Sequence, residues 1–416
     1  MHLTLMFLQI AIILLLSRLV GLLMKRMGQP QVIGEILTGI ALGPSLLGLF
    51  FPQVQHALFP KESVDLLKSL SSIGLVLFMF LVGLELDMGQ IRKMYHKAIS
   101  ISLGGILFPL LLGVGAGALL LNSADFFPPT QDPLVSVAFL GVAMSVTAFP
   151  VLARILSEFR MTRSRIGSLA LASAAIDDLL AWMLLAVVMI LSKGTSQAAI
   201  VTGLGIVGVS AVSFLLLRPL LAKLAVWLEE HKHENWILPI WMVLLLLLAS
   251  VTEAVGMHFI MGAFILGLIT PRGWIAEQLE HRIAPLATQL FLPIFFVISG
   301  LNTQVNLLSG WHAWMVAGGI ILVASLGKLL GCGYVAWRSG ETPGDALTVA
   351  GLMNARGLME LVVLNIGLQM GLISPLLFSI MVVMTVVTTV LATPLFRLGT
   401  RWNQKQEAQV GRLPVV

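Results

Sequence analysis

An all-helical, polytopic membrane protein of about thirteen transmembrane helices is what these 416 residues encode, on three grounds. Hydrophobic side chains make up 58% of the chain and charged ones 11%, against about 45–50% and 25% in water-soluble globules. The apolar residues gather into segments of about 20, the length that crosses the hydrocarbon layer. The Lys and Arg residues collect in every second loop, as they do where one side of a membrane is cytoplasmic.

In order, the spans cover 4–24, 32–50, 64–86, 97–121, 134–157, 163–191, 196–228, 234–253, 256–270, 284–300, 311–337, 344–370 and 373–397. The first has no basic residue ahead of its apolar core, holds Arg18 and is followed by Lys25 and Arg26, so it reads as a retained helix and not a cleaved leader. Alternating the loops between two sides places nineteen of the 25 basic residues on one side and only Lys61 and Lys193 on the other. The positive side is cytoplasmic. The N-terminus and the loop near Gln131 are therefore expected outside, and the loop near Arg163 and the tail near Lys405 inside, with a bacterial inner membrane as the expected location. Residues 1–400 read as one transmembrane domain and 401–416 as a short cytoplasmic tail.

Because the net charge of +5 sits in these loops, it is not the clustered basic face of a nucleic-acid binder. The single cysteine, Cys332, excludes an internal disulfide framework and any multi-cysteine metal site. A Gly-rich phosphate loop is missing from the sequence, so no nucleotide-binding domain is expected; the composition argues against an enzyme, and the methionines and aromatic residues read as packing, with no cofactor implied.

Four basic residues fall inside spans. Arg18 and Lys68 lie close enough to span ends to snorkel, whereas Lys328 and Arg356 lie deeper. The sixth span carries Asp177 and Asp178 near mid-depth, and each ionised residue there costs about 2.5–3.5 kcal/mol unless protonated, paired or hydrated. Neighbouring helix positions point about 100° apart. One aspartate can therefore take a cationic partner while the other faces a hydrated cavity. Lys328 is the natural counter-charge, and Gly327 and Gly331 beside it permit close helix approach, expected to bring its ammonium against the sixth span.

The fifth and twelfth spans carry polar residues among helix breakers: Ser145-Val-Thr147-Ala-Phe-Pro150, and Asn354-Ala-Arg356-Gly357-Leu-Met-Glu360. Interrupted helices leave backbone groups unpaired, which lipid forbids but an ion-coordinating cavity uses. The two spans are an odd number apart, hence oppositely oriented, as in an inverted repeat that crosses two broken helices at the midplane. Arg356 either neutralises carbonyl ends of the broken helices or pairs with Glu360 one turn away. Glu35, Glu253 and His258 give weaker signals, best read as structural or cavity-wall positions.

The segments Gly34-Glu35-Ile-Leu-Thr-Gly39-Ile-Ala-Leu-Gly43-Pro44-Ser45, Phe80-Leu-Val-Gly83-Leu-Glu85-Leu-Asp87, Ile176-Asp177-Asp178 and Asn354-Ala-Arg356-Gly357-Leu-Met-Glu360-Leu together resemble the second monovalent cation:proton antiporter family, which holds the Kef-type and plant cation/proton exchangers. The resemblance runs from about residue 5 to 395. It implies the sodium/proton antiporter fold, with a six-helix ion-carrying core beside a dimerisation domain, elevator-like movement of that core, and a homodimer in lipid. It implies that Asp178 binds the metal cation or the proton in competition, with Asp177 as its neighbour, Lys328 as the core lysine, Thr147 and Asn354 as polar ligands at the crossing, and Ser145, Glu360 and Glu35 as accessories. The transported species are then Na+ or K+ and H+. The Asp-Asp pair resembles the sodium-using branch, and the missing nucleotide-binding domain departs from Kef systems. A channel or sodium-coupled organic-anion symporter of related fold, and a transport-inactive sensor, are the competing readings. They lack obligatory exchange of one ion for another.

Overall fold

The computed structural model describes residues 2–410 apart from 87, 122, 124, 129–131, 194–196, 232, 257, 302–307 and 309. Asp87 and Gln131, named above, lie outside the described residues, as do the side chains of Lys193 and Lys405. Regular structure among the described residues is entirely helical. The helices are α1 (His2–Arg26), α2 (Gln31–Leu42), α3 (Lys61–Glu85), α4 (Met88–Leu120), α5 (Pro133–Ser145), α6 (Phe149–Glu158), α7 (Arg165–Lys193), α8 (Gln197–Val212), α9 (Arg218–Glu230), α10 (Glu234–Ala254), α11 (Phe259–Ile269), α12 (Trp274–Leu301), α13 (Trp311–Arg338), α14 (Pro343–Met353), α15 (Leu358–Gln369) and α16 (Pro375–Val410). Two short helices, Leu47–Phe50 and Pro52–Leu58, follow α2.

Eleven stretches among the described residues are long and apolar enough to cross a membrane. The ninth expected span is the short helix α11, and the twelfth is the pair of half-helices α14 and α15, so all thirteen expected segments have a helical counterpart. Two limits differ. The tenth begins at Trp274, because Ile275, Ala276, Leu279 and Ile283 are buried while Gln278 and Arg282 are not; such an amphipathic turn is too polar to resemble a span. The last helix continues past 397 to Val410.

The chain divides into two compact units. The first comprises Met1–Leu23, Gly34–Met88 and Thr195–Asn302. Within it, α2 and α12 touch where Gly39 faces Gly300: a methyl added at either would collide with backbone of the other helix. Residues 13, 42, 59, 64, 67, 294, 297, 298 and 301 close one apolar cluster. Arg272 donates to the carbonyls of Leu86 at 2.6 Å and Gly83 at 3.1 Å, a cation placed on the negative end of α3. Glu253 accepts from the Phe259 N–H at 2.9 Å, which caps α11 and makes this carboxylate structural. His258 occupies the N-cap position of the same helix.

The second unit comprises Met24–Ile33, Gly89–Gly194 and Thr303–Val416. It contains expected spans four to six and eleven to thirteen. Each broken span starts alike. Asp132 accepts from the Leu134 N–H at 2.8 Å ahead of Pro133, and Thr342 accepts from the Asp345 N–H at 3.0 Å ahead of Pro343; both are capping residues followed by a proline that has no N–H to leave unpaired. Gly327 and Gly331 do permit close approach, but to α4, where they meet Pro109 and Gly104. The glycines seat α13 on α4, and the length of the Lys328 side chain carries its ammonium onward to α7.

At one end of this unit Glu341, 1% exposed at its side chain, holds Lys97 and Arg165, each at 2.6 Å, and Arg165 also reaches Asp345 at 2.7 Å. Burial alone would raise the Glu341 pKa, but the hydrogen bonds from Lys97 and Arg165 and their charges bring it below the ordinary carboxylate value. A lowered folded-state pKa contributes stability above the unfolded value and loses it as pH falls through the folded one. Glu341→Gln should therefore lower the melting midpoint in detergent at pH 7, by a loss of about 1–3 kcal/mol. The gap to wild type should narrow as pH drops below the normal carboxylate range. Parallel melting curves from pH 7 to 3 would refute this assignment.

Candidate functional site

Both broken spans stop and restart in the second unit. The first is interrupted over residues 146–148 and the second over 354–357, where Gly357 lies against Val151 with no room for a Cβ. The breaks touch: the Ala148 N–H donates to the Ala355 carbonyl at 3.0 Å, and the Thr147 hydroxyl donates to the Met353 carbonyl at 3.1 Å. Pro150 stands in the first turn of α6, where it starts a helix and kinks none.

The carbonyl end of α5 is covered by two buried cations. Lys328 donates to the Ser145 carbonyl at 2.6 Å and to Asp177 Oδ2 at 3.2 Å. Arg356 donates to the Met144 carbonyl at 2.5 Å, to the Ala143 carbonyl at 3.5 Å and to Glu360 Oε1 at 3.2 Å. Both readings of Arg356 thus hold at once: it neutralises a helix end and pairs with Glu360. Ser145 enters through its backbone, since its hydroxyl donates to Val142. Gly105 of α4 packs against the turn that follows the lysine, for a Cβ there would collide with Cys332 Sγ.

These contacts leave one charge over. Lys328 balances Asp177 and Arg356 balances Glu360, all four fully buried, while Asp178 is 1% exposed and neither of its oxygens has a hydrogen-bond partner. Asp177 Oδ1 and Asn354 Oδ1 are also buried oxygens without a donor. An ionised carboxylate in that condition costs several kcal/mol. It is relieved by a proton or by a cation, and the same lone pairs serve either.

A family model described as "Sodium/hydrogen exchanger, transmembrane" matches residues 11–398. The chain belongs to the sodium/hydrogen exchanger family. That makes it an integral membrane protein of an antiporter family, and no enzyme. Among curated relatives of this chain, the Na(+)/H(+) antiporter NhaS4 of Synechocystis is 38% identical over 394 residues, covering 93% of this chain and 95% of that protein. The Cation/H(+) antiporter 17 of Arabidopsis thaliana is 39% identical over 398 residues, covering 94% of this chain and 48% of that protein. The chain thus spans about half the length of its plant relative. Among solved structures, the sodium proton antiporter MjNhaP1 from Methanocaldococcus jannaschii superposes with a TM-score of 0.63 over 96% of this chain and 99% of that one, at 19% identity, so the likeness is one of fold.

Of the residues singled out in the sequence, Asp177, Lys328, Ser145, Arg356 and Glu360 are linked by the contacts above, and Thr147 and Asn354 stand at the two breaks. Glu35 is buried on α2 in the other unit. Two features escaped the sequence reading. The helix around Lys328 widens into a π-turn over Leu329–Tyr334, a distortion frequent at functional sites. Helix α16 supplies Thr388, whose carbonyl accepts from Asn354 at 3.4 Å, and Thr389, which bonds the Arg356 backbone. The signal available was four threonines, 385, 388, 389 and 393, on one stripe of an apolar helix.

Proposed function

We propose that this chain exchanges a monovalent cation, Na+ or K+, for protons across the membrane, with Asp178 holding one or the other in turn. The observation that supports it best is the surplus carboxylate: beside the two breaks Lys328 and Arg356 pair off with Asp177 and Glu360, and Asp178 is left with both oxygens free. A group that must be neutralised, and that either H+ or a metal cation neutralises, couples the two by competition. Thr147 and Asn354 add neutral oxygens, the hard ligands that alkali cations take, and Asn354 Oδ1 has no other partner. Na+ and K+ are substrates in this scheme, and among the described residues no group of three or more His, Cys, Asp or Glu could hold a resident metal ion.

The remaining assignments form part of the same reading. Residues 1–400 constitute the exchanger and 401–416 a cytoplasmic extension, whose first ten residues continue α16 to Val410. The protein works as a homodimer in a bacterial inner membrane by elevator-like alternating access, N-terminus outside. Cysteines introduced singly at 131 and 163 should react with an impermeant reagent from opposite sides; reaction from the same side would overturn the orientation. The function is tested in proteoliposomes carrying an internal pH dye. Adding Na+ or K+ outside should drive protons the opposite way. Cation flux that moves no protons would point to a channel instead.

A further inference from the structure

We infer that Thr389 is a positioning residue for ion binding: its hydroxyl holds the Arg356 peptide in place and so sets the apparent cation affinity. The inference rests on the exchange reading above, and it concerns a helix to which that reading gives no role.

A chain break within the bilayer leaves N–H and C=O groups that lipid cannot satisfy. At Arg356 one side chain serves both. The Arg356 N–H donates to Thr389 Oγ1 at 3.0 Å, and Thr389 Oγ1 stands 2.7 Å from the Arg356 carbonyl, to which it donates. A hydroxyl has two lone pairs and one proton, so this reciprocal clasp draws on its proton and one lone pair. The residues on either side of the clasped peptide are the ones that matter. Ala355 accepts the Ala148 N–H that joins the two breaks, Asn354 carries a buried carbonyl oxygen without a donor, and the Arg356 guanidinium caps α5. Releasing the peptide at 356 would let all three shift together.

The clasp has a competitor. Thr389 Oγ1 is also 2.7 Å from the Thr385 carbonyl of its own helix, the i−4 back-bond that threonines make in apolar helices. One proton cannot serve two carbonyls fully, so the hydroxyl is shared between its helix and the break. Thr393, on the same stripe of α16, is also fully buried, and its hydroxyl has no partner. It provides an internal control of equal size and chemistry.

The test is the half-saturating cation concentration in proteoliposomes, with the maximal rate and a detergent melting curve measured on the same preparations. Thr389→Val keeps the shape and removes the hydroxyl; a lost hydrogen bond worth about 1.4 kcal/mol in the bound state corresponds to a tenfold rise in half-saturation. Thr389→Ser should stay within about twofold of wild type, Thr389→Cys should fall between, and Thr393→Val should leave the constant unchanged. Should Thr389→Val fail to fold, the order of serine below cysteine decides the matter. Equal half-saturation in serine and cysteine variants, a rise for Thr393→Val matching that for Thr389→Val, or a melting shift with no change in half-saturation would each overturn the inference while leaving exchange intact. A wild-type protein that moves no protons against any cation would overturn exchange itself, and this role with it.

Discussion

Replacing Asp178 by asparagine is expected to reduce cation-driven proton movement to background, a loss of at least about 100-fold, while the protein inserts and melts at or above the wild-type temperature. The two halves of this result come from one observation. Asp178 is 1% exposed and both of its oxygens lack partners, so the fold gains nothing from its charge. Asparagine is nearly isosteric and neutral, and it removes the cost of an unpaired buried carboxylate. The amide neither releases a proton nor attracts a cation with full charge, so competition between the two ions ends. Asp177→Asn differs: it removes the charge opposite Lys328 at 3.2 Å but leaves Asp178 in place, and should keep part of the exchange. Proteoliposome assays alongside detergent melting curves separate the effects. Exchange by Asp178→Asn within tenfold of wild type would remove this residue from the centre of the mechanism.

Arg356→Leu should have the opposite profile, a collapse of stability. The side chain is fully buried and holds Glu360 together with two carbonyls at the end of α5. Removing one partner of a buried ion pair costs about 3–5 kcal/mol, because the other charge stays behind in a medium that cannot solvate it. A double variant, Arg356→Leu with Glu360→Leu, should recover part of the loss, since an apolar replacement of the whole pair is close to neutral. The orphaned Met144 carbonyl keeps the recovery incomplete. A single variant that melts with wild type would show that the guanidinium is dispensable to the fold.

How far these features could be read from the sequence depends on the range of the interaction. Spans are a local property of composition, so thirteen segments were legible, and the breaks were too, because Pro150, Gly357 and the polar residues beside them disrupt a helix where they stand. Asp177, Asp178, Lys328 and Arg356 were legible by cost, since charge at that depth demands a partner. Which partner was harder. Gly327 and Gly331 announce close packing, but spacing alone does not say that Pro109 and Gly104 of α4 are opposite. Arg356 offered two partners and takes both. Thr389 was illegible, because a threonine in an apolar helix normally satisfies itself on the preceding turn, and nothing nearby in sequence reveals a second acceptor 33 residues away.

The two inverted halves also differ in how their interrupted helices end. The last carbonyls of α5 are met by full positive charges, from Lys328 and Arg356. Those of α14 are met only by neutral donors: the Asn354 and Ala355 N–H groups on Ala350, Gly351 and Leu352, and the Thr147 hydroxyl on Met353. Geometric pseudo-symmetry thus coexists with electrostatic asymmetry. Among the described residues, the negative pole of one half is countered by full charge and that of the other by dipoles alone, so in the exchange reading a cation would meet two unequal poles. A duplicated scaffold that would otherwise present twin seats is thereby polarised toward one.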